Sequence, residues 1–314
     1  MKSFSKLKKI KGDASLRTFY RDNHNKSIIV FSYKDKAKNL LIYDSVNRIL
    51  IKNGILAPKL ISQNYSKNFI EIDDFGNESL FRLLQKEKTG KYNLFKKIII
   101  VLNKMQKIKN TEIKNFKNHS YKIKEYEKQI LFNETKLFLD WYVPNKLSKI
   151  KIKDFNKRFK KEVKNLMSKL TFKNNTFVHR DFHVSNLIYF KNRVGVIDSQ
   201  DALIGNKAYD LASLIDDVRL KTSKRLKKKI FEYYIKTNKK IEKDIFKKNF
   251  EILSVLRNLK IIGIFMRLSI RDNKKKYLKL IPYAWEMINY RINNRQDFKN
   301  LRVLLKNNFP RLIG

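Results

Sequence analysis

The spacing of apolar positions shifts along the chain, and each shift predicts a different element. Residues 16–20 and 27–31 are short runs rich in β-branched and aromatic side chains. The polar stretch Asp22-Asn23-His24-Asn25-Lys26 joins them and reads as a hairpin connection. Over residues 37–52 the period lengthens to that of a helix: Leu40, Leu41, Val46, Ile49 and Leu50 fall close to one face, and Gly54 supplies a stop. Residues 60–61 and 69–72 return to strand patterning, the second running into Asp73-Asp74-Phe75-Gly76. Beyond residue 75 helical patterns dominate, over residues 79–88, 94–107, 122–141 and 153–170, with several more after Ser223.

One β island interrupts this helical half. Residues 176–178, 187–190 and 194–197 read as short strands, and Lys191-Asn192-Arg193 links the last two as a hairpin turn. Polar residues concentrate there. No internal repeat or low-complexity linker divides the chain. An α+β, bilobal arrangement is expected: residues 1–75 as a small β-rich N-lobe that binds nucleotide, residues 76–314 as a larger, mainly helical C-lobe, and a cleft between them.

Composition narrows the function classes. Of 314 residues 42% are hydrophobic, enough for a buried core, and the absence of cysteine excludes disulfides, thiolate zinc sites and cysteine nucleophiles. No apolar run approaches the roughly 20 residues that span a bilayer; the densest, residues 259–266, ends at Arg267. The first residues carry no apolar signal-peptide core, so a cytoplasmic protein with no membrane partner is expected. Lys+Arg number 72 against 29 Asp+Glu, a formal net charge of +43, which attracts polyanions without specificity. The lysines are spread along the chain, and over residues 224–235 apolar positions recur between them at helical spacing, which favours a solvated helix face. No zinc finger, RNA-binding aromatic box or helix-turn-helix pattern is present, so no specific nucleic-acid partner is expected.

The chemistry lies in His179-Arg180-Asp181-Phe182-His183-Val184-Ser185-Asn186, followed by Val196-Ile197-Asp198. This matches the kinase catalytic loop His-Arg-Asp-x-x-x-x-Asn, with a second Asp at the end of the next hairpin. Phosphoryl transfer asks a protein for positioning and charge neutralisation. A loop leaving a strand aims Asp181 at the attacking hydroxyl, while Asn186 and Asp198 offer oxygen ligands suited to Mg²⁺. A polar turn with Asp198 capping a strand accounts for a lone His-Arg-Asp, but not for the Asn at this offset with the Asp beyond it. His179 is expected to orient the loop by hydrogen bonding; His183 is left open between substrate contact and simple exposure.

The tail of the motif, Ile197-Asp198-Ser199-Gln200-Asp201-Ala202, then Gly205 and Tyr209-Asp210-Leu211-Ala212, resembles the aminoglycoside-phosphotransferase family, kinase-like enzymes acting on small molecules. That resemblance implies a protein-kinase-like fold, with Asp210 as structural support behind the catalytic loop. Three further segments, residues 12–21, 134–143 and 256–267, together with Arg271-Asp272, resemble the anomeric N-acetylmuramate/N-acetylglucosamine kinases of bacterial cell-wall recycling. The implied activity is ATP-dependent phosphorylation of an amino-sugar C1 hydroxyl, giving an α-1-phosphate. Ser199 departs from this pattern, where those kinases usually carry Phe, and Asn258 stands in place of a common His.

No Gly-x-x-x-x-Gly-Lys-Ser/Thr occurs, which excludes a P-loop, and the strand at residues 28–32 lacks the usual phosphate-pairing lysine. Ser15, Arg17 and Arg21 are the candidates to contact phosphate instead, against the alternative that the two arginines are merely exposed charges. By analogy of fold, Glu71, Ile72 and Asp73 mark an inter-lobe hinge whose backbone groups hold adenine. Glu134, Trp141, Arg257 and Arg267 are the candidate sugar contacts: an arginine suits a lactyl carboxylate and a Trp face stacks on a sugar ring, although Trp141 also fits helix packing. Two other readings stay open. One keeps the fold and takes choline, an aminoglycoside or another hydroxylated metabolite as acceptor; the other is a basic RNA- or partner-binding pseudokinase.

Overall fold

The computed structural model describes residues 7–10, 17–33, 36–87, 89–293 and 295–313. The chain forms two compact units, residues 1–124 with 176–204, and residues 125–175 with 205–314. Among the described residues no helix is long and apolar enough to cross a membrane.

The first unit is built on a five-stranded antiparallel sheet. Its strands are β1 (Lys8–Ile10), β2 (Arg17–Asp22), β3 (Ser27–Ser32), β4 (Leu60–Asn64) and β5 (Phe69–Asp73), in the order β1-β2-β3-β5-β4. The connection between β2 and β3 is fixed by the Asp22 carboxylate, which accepts from the backbone N–H of His24 and Asn25, with Lys26 left-handed at φ 50°. Helix α1 (Lys38–Lys52) lays Leu40 and Tyr43 on Val30, Ile70 and Ile72 of the sheet. It stops at Gly54, whose φ of 71° suits a residue without a Cβ.

Helices α2 (Leu80–Lys86) and α3 (Lys91–Met105) follow, then a short hairpin of β6 (Glu112–Lys114) and β7 (Ser120–Lys122). The helix expected to begin at residue 122 therefore begins later. The Asn115 side chain accepts from the N–H of Lys117 and His119, and Asn118 is left-handed, so residues 115–119 make a turn and Lys122 pairs with Glu112.

The β island belongs to this same unit. Strand β8 (Thr176–Val178) pairs with β11 (Leu203–Gly205), and β9 (Leu187–Phe190) with β10 (Arg193–Val196). Lys191 and Asn192 both have positive φ, at 47° and 60°, the signature of a type I′ hairpin turn. Backbone bonds tie this hairpin to earlier segments: Val196 N–H donates to Leu56 O and Tyr189 N–H to Glu78 O, each at 2.8 Å. The boundary expected at residue 75 thus falls inside the first unit, because the island pairs with the chain on both sides of it.

The second unit is helical: α4 (Lys128–Leu137), α5 (Lys149–Ser168), α6 (Tyr209–Ile215), α7 (Lys224–Thr237), α8 (Lys243–Arg271), α9 (Ile281–Ile292) and α10 (Lys299–Asn308). Helix α4 runs on into a π-helical turn, Phe138–Tyr142. Phe138, Tyr142, Phe155, Trp285 and Phe309 pack as one aromatic core, with Trp285 Nε1 donating to the Tyr142 hydroxyl at 3.1 Å. Helix α8 crosses the α4–π junction at Gly263, where a Cβ would lie 2.3 Å from the Leu137 carbonyl carbon.

Asp216, fully buried just beyond α6, holds this unit together. Arg291 Nε and Nη2 donate to it at 2.8 and 3.0 Å, Lys227 Nζ lies 3.3 Å away, and the Ser254 hydroxyl donates at 2.6 Å. Burial pushes the Asp216 carboxyl up, but Arg291 and Lys227 outweigh it and hold it well below the usual carboxylate range. Its contribution is then present above the unfolded carboxyl pKa, about 3.9, and is lost as pH falls through the lower folded value. Asp216→Asn leaves two buried cations without an anion and is expected to cost about 3–5 kcal/mol, read by urea denaturation at pH 7. The variant's stability is also expected to change less than the wild type's as the solution is acidified from pH 5 to pH 2.

Candidate active site

Strand β8 ends at Val178 and delivers the loop His179–Asn186. His179 is fully buried, and its Nε2 lies 3.0 Å from the Ile197 carbonyl, which ties the start of the loop to the residue before Asp198. Arg180 has φ 72° and Asp198 φ 61°, left-handed conformations that cost a residue with a Cβ and occur where surrounding contacts impose them. Arg180 Nη1 donates to the Asp201 carbonyl at 3.0 Å, across that strained return. His183 is buried, which removes the exposed alternative for it.

Asn186 is anchored through its nitrogen. Nδ2 donates to the Asp181 carbonyl at 3.1 Å, so Oδ1 points away from the loop's own backbone. The Ile197 N–H donates to the Asn186 carbonyl at 3.1 Å, holding the loop beside the strand that carries Asp198. The Asp198 carboxylate is half-buried, with 42% of its side-chain surface open. Protein around it displaces enough water to raise its carboxyl above the ordinary range, Arg17 pulls the other way, and the Asp181 charge raises it again. Asp181 and Asp198 are thus electrostatic neighbours. The oxygens of Asn186 and Asp198 are hard donors, a set that fits Mg²⁺.

Arg17, buried at the start of β2, donates through Nη2 to Asp198 Oδ1 at 3.0 Å, and its guanidinium lies over the Tyr43 ring, 5.1 Å from the centroid. Burial, against the pull of Arg17, pushes the Tyr43 hydroxyl up to about 12, so it stays protonated beside the pair. Strand β3 carries no lysine, and Arg17 supplies a cation at the site from the neighbouring strand. Of the two readings of Arg17, phosphate contact and simple exposure, burial excludes the second. Arg21 is engaged elsewhere, forking onto both oxygens of Asp74 and donating also to the Asn77 side chain and the Gly76 carbonyl. Ser15 lies outside the described residues.

The hinge expectation for Glu71 and Asp73 meets a different arrangement. The buried Glu71 carboxylate accepts from the Ser27 and Ser62 hydroxyls at 2.6 and 2.8 Å, and Asp73 Oδ2 accepts from the Lys59 N–H at 3.0 Å. Glu71 and Ile72 are paired with β3 on one edge and β4 on the other. Their side chains and backbone are committed to the sheet.

Glu134, Trp141, Arg257, Arg267 and Asp210 all belong to the second unit. Asp210 is buried in the first turn of α6, where the helix dipole favours a carboxylate. Trp141 is half-buried within the π-helical turn. Glu134 accepts from the Tyr126 hydroxyl and pairs with Lys260 Nζ at 2.9 Å; Lys260 also lies 3.4 Å from the Tyr209 hydroxyl. Sequence reasoning missed Lys260, Tyr126 and Tyr209. The available signal was spacing: Arg257, Lys260 and Arg267 recur at three and ten residues, on one stripe of α8.

A family model described as the phosphotransferase enzyme family (APH) matches residues 6–242. The chain belongs to the phosphotransferase enzyme family. An N-acetylmuramate/N-acetylglucosamine kinase of Neisseria meningitidis serogroup B is 26% identical over 280 residues, covering 86% of this chain and 80% of that protein. A protein of the same name from Pseudomonas aeruginosa is 25% identical over 300 residues, covering 93% of this chain and 86% of its own length. The ADP-bound crystal structure of the aminoglycoside phosphotransferase APH(2'')-Ib superposes with a TM-score of 0.61 at 15% identity, covering 90% of this chain and 94% of that one. The expected protein-kinase-like fold is thereby borne out.

Within this phosphotransferase, Ser199 has a defined place. It is fully buried, and its hydroxyl donates to Asn47 Oδ1 of α1 at 2.8 Å, so a hydrogen bond links α1 to the residue after Asp198. Ser199→Ala removes the donor and leaves the Asn47 carbonyl unsatisfied, an expected cost of about 1–3 kcal/mol. Chemical denaturation at neutral pH measures it, and a variant as stable as the wild type would mean that Asn47 finds another donor.

Proposed function

We propose that this phosphotransferase is an ATP-dependent, Mg²⁺-using kinase that phosphorylates the anomeric hydroxyl of N-acetylmuramate, N-acetylglucosamine or both, in cytoplasmic recycling of cell-wall sugars. The observation that carries the reading is the gathering of Asp181, Asn186, Asp198 and Arg17 in one unit. Relatives bearing that kinase name match most of the chain and support the acceptor.

In the proposed reaction the sugar O1 attacks the terminal phosphorus of ATP. The new O–P bond forms as the bond to the bridging oxygen of ADP breaks, and the hydroxyl proton passes to the Asp181 carboxylate. Asn186 Oδ1 and Asp198 would hold Mg²⁺, which supplies charge neutralisation on the phosphate oxygens when bound. Arg17 places a guanidinium beside Asp198, and its fork of donors matches phosphate oxygens. Buried His179 keeps the loop and the Asp198 strand in register. Adenine contacts fall to backbone beyond Asp73, since the groups of Glu71 and Ile72 are taken by the sheet.

On the acceptor side we assign Glu134, Trp141, Arg257 and Arg267. The α8 stripe and its neighbour Glu134 carry more cations than carboxylates, which suits a neutral or anionic sugar and disfavours choline or an aminoglycoside.

Incubation with ATP, Mg²⁺ and each sugar, followed by proton and phosphorus NMR, is expected to show a sugar α-1-phosphate. Asp181→Asn is expected to lower kcat about 100-fold or more, with its thermal midpoint unchanged, since only the proton acceptor is lost. Wild-type turnover by that variant would remove Asp181 from the mechanism. Transfer to choline or an aminoglycoside alone would replace the acceptor.

A further inference from the structure

Five basic residues are buried among the described residues: Arg17, Lys227, Arg257, Lys260 and Arg291. Four have a carboxylate within salt-bridge distance: Arg17 with Asp198, Lys227 and Arg291 with Asp216, Lys260 with Glu134. Arg257 differs. It is only 3% exposed, it forms no ion pair or hydrogen bond among the described residues, and its Nη1 is buried without any acceptor. An isolated buried guanidinium is expensive, and proteins retain one where something else completes it.

Its surroundings indicate what that is. Lys260 stands one turn further along α8, and its charge is already answered by Glu134, which Tyr126 and Tyr209 hold in turn. Burial raises the Tyr209 hydroxyl pKa, Glu134 raises it further, and Lys260 and Arg257 both lower it, so Arg257 shares this cluster. Glu134, Lys260 and Arg257 together carry one carboxylate and two cations, a net charge of one positive unit. Arg267, two turns beyond Lys260 on the same stripe, also lacks a protein acceptor at Nε, and burial together with Arg271 lowers its pKa. Asp272 answers part of the charge at Arg267, whereas the group around Arg257 keeps one unanswered positive unit.

We propose that Arg257 is the specificity-determining residue of the acceptor site: it binds the lactyl carboxylate of N-acetylmuramate, which N-acetylglucosamine lacks. Lys260, held by Glu134, keeps the stripe in place and does not discriminate between the two sugars. This rests on the amino-sugar kinase reading above. A planar guanidinium receives a carboxylate through two parallel hydrogen bonds, a geometry an ammonium does not reproduce.

The test is steady-state kinetics of the wild-type protein, Arg257→Leu and Arg257→Lys on both sugars, with thermal midpoints measured with and without each sugar. For Arg257→Leu, kcat/KM on N-acetylmuramate is expected to fall about thirty-fold or more, the loss seen when one partner of a desolvated charge pair is removed. On N-acetylglucosamine the loss should be about tenfold smaller than on N-acetylmuramate, and Arg257→Lys should recover only part of the difference. The thermal midpoint of unliganded Arg257→Leu should equal or exceed that of the wild type, because an unpaired buried charge has gone. N-acetylmuramate should raise the wild-type midpoint but not the variant's. Equal losses on both sugars, or no loss, with the wild type active would overturn the role of Arg257 and leave the kinase reading standing. A wild-type protein that phosphorylates neither sugar would overturn the kinase reading itself.

Discussion

In a chain with 72 basic and 29 acidic residues, the placement of each buried carboxylate decides where a cation is able to enter the interior. Asp198 admits Arg17 to the first unit, and Asp216 admits Arg291 and Lys227 to the second. Glu134 does the same for Lys260. Desolvating a charge costs several kcal/mol unless an opposite charge and further hydrogen bonds meet it. Each of these acids is therefore a fixed point around which helices and strands are arranged, and the remaining lysines spread over solvated faces. The large net charge describes the surface of this protein more than its chemistry.

The first unit shows how such a point becomes a site. Asp198 is strained, partly open and flanked by Asp181, a combination that a purely structural carboxylate does not need. Hydrogen bonds from several directions impose that geometry: His179 on the Ile197 carbonyl, the Ile197 N–H on Asn186, and Ser199 on Asn47. The loop, the hairpin and α1 converge there, so positioning precedes any ligand.

Much of this was legible in sequence where one local rule fixed the geometry. The loop from His179 to Asn186 was readable because its spacing is set by a single turn of chain, and Lys191-Asn192 because two left-handed residues define a hairpin. What escaped reading had no local period. Strands β1, β6 and β7 have three residues each, too few to show alternation, and polar residues around 120–122 let a helical pattern run through them. Ser199 and Asn47 are 152 residues apart. Lys260 lay unnoticed in a helix that is buried nearly all round and so has no clear polar face. Glu71 and Asp73 read as a hinge because the end of β5 resembles one in sequence; the pairing of that strand on both edges is a tertiary fact.

The close approach at Gly263 gives the second unit a particular rigidity. The contact of Lys260 with Glu134 and that of Gly263 with Leu137 lie three residues apart on both helices, so the basic stripe and the close approach share one stretch of α4 and α8. With only a hydrogen atom between the backbones, α8 has no room to roll. The angular setting of its basic stripe is thus dictated by main chain meeting main chain rather than by the reach of flexible side chains. A larger residue at that crossing would wedge the two helices apart and turn the stripe without altering any of its side chains.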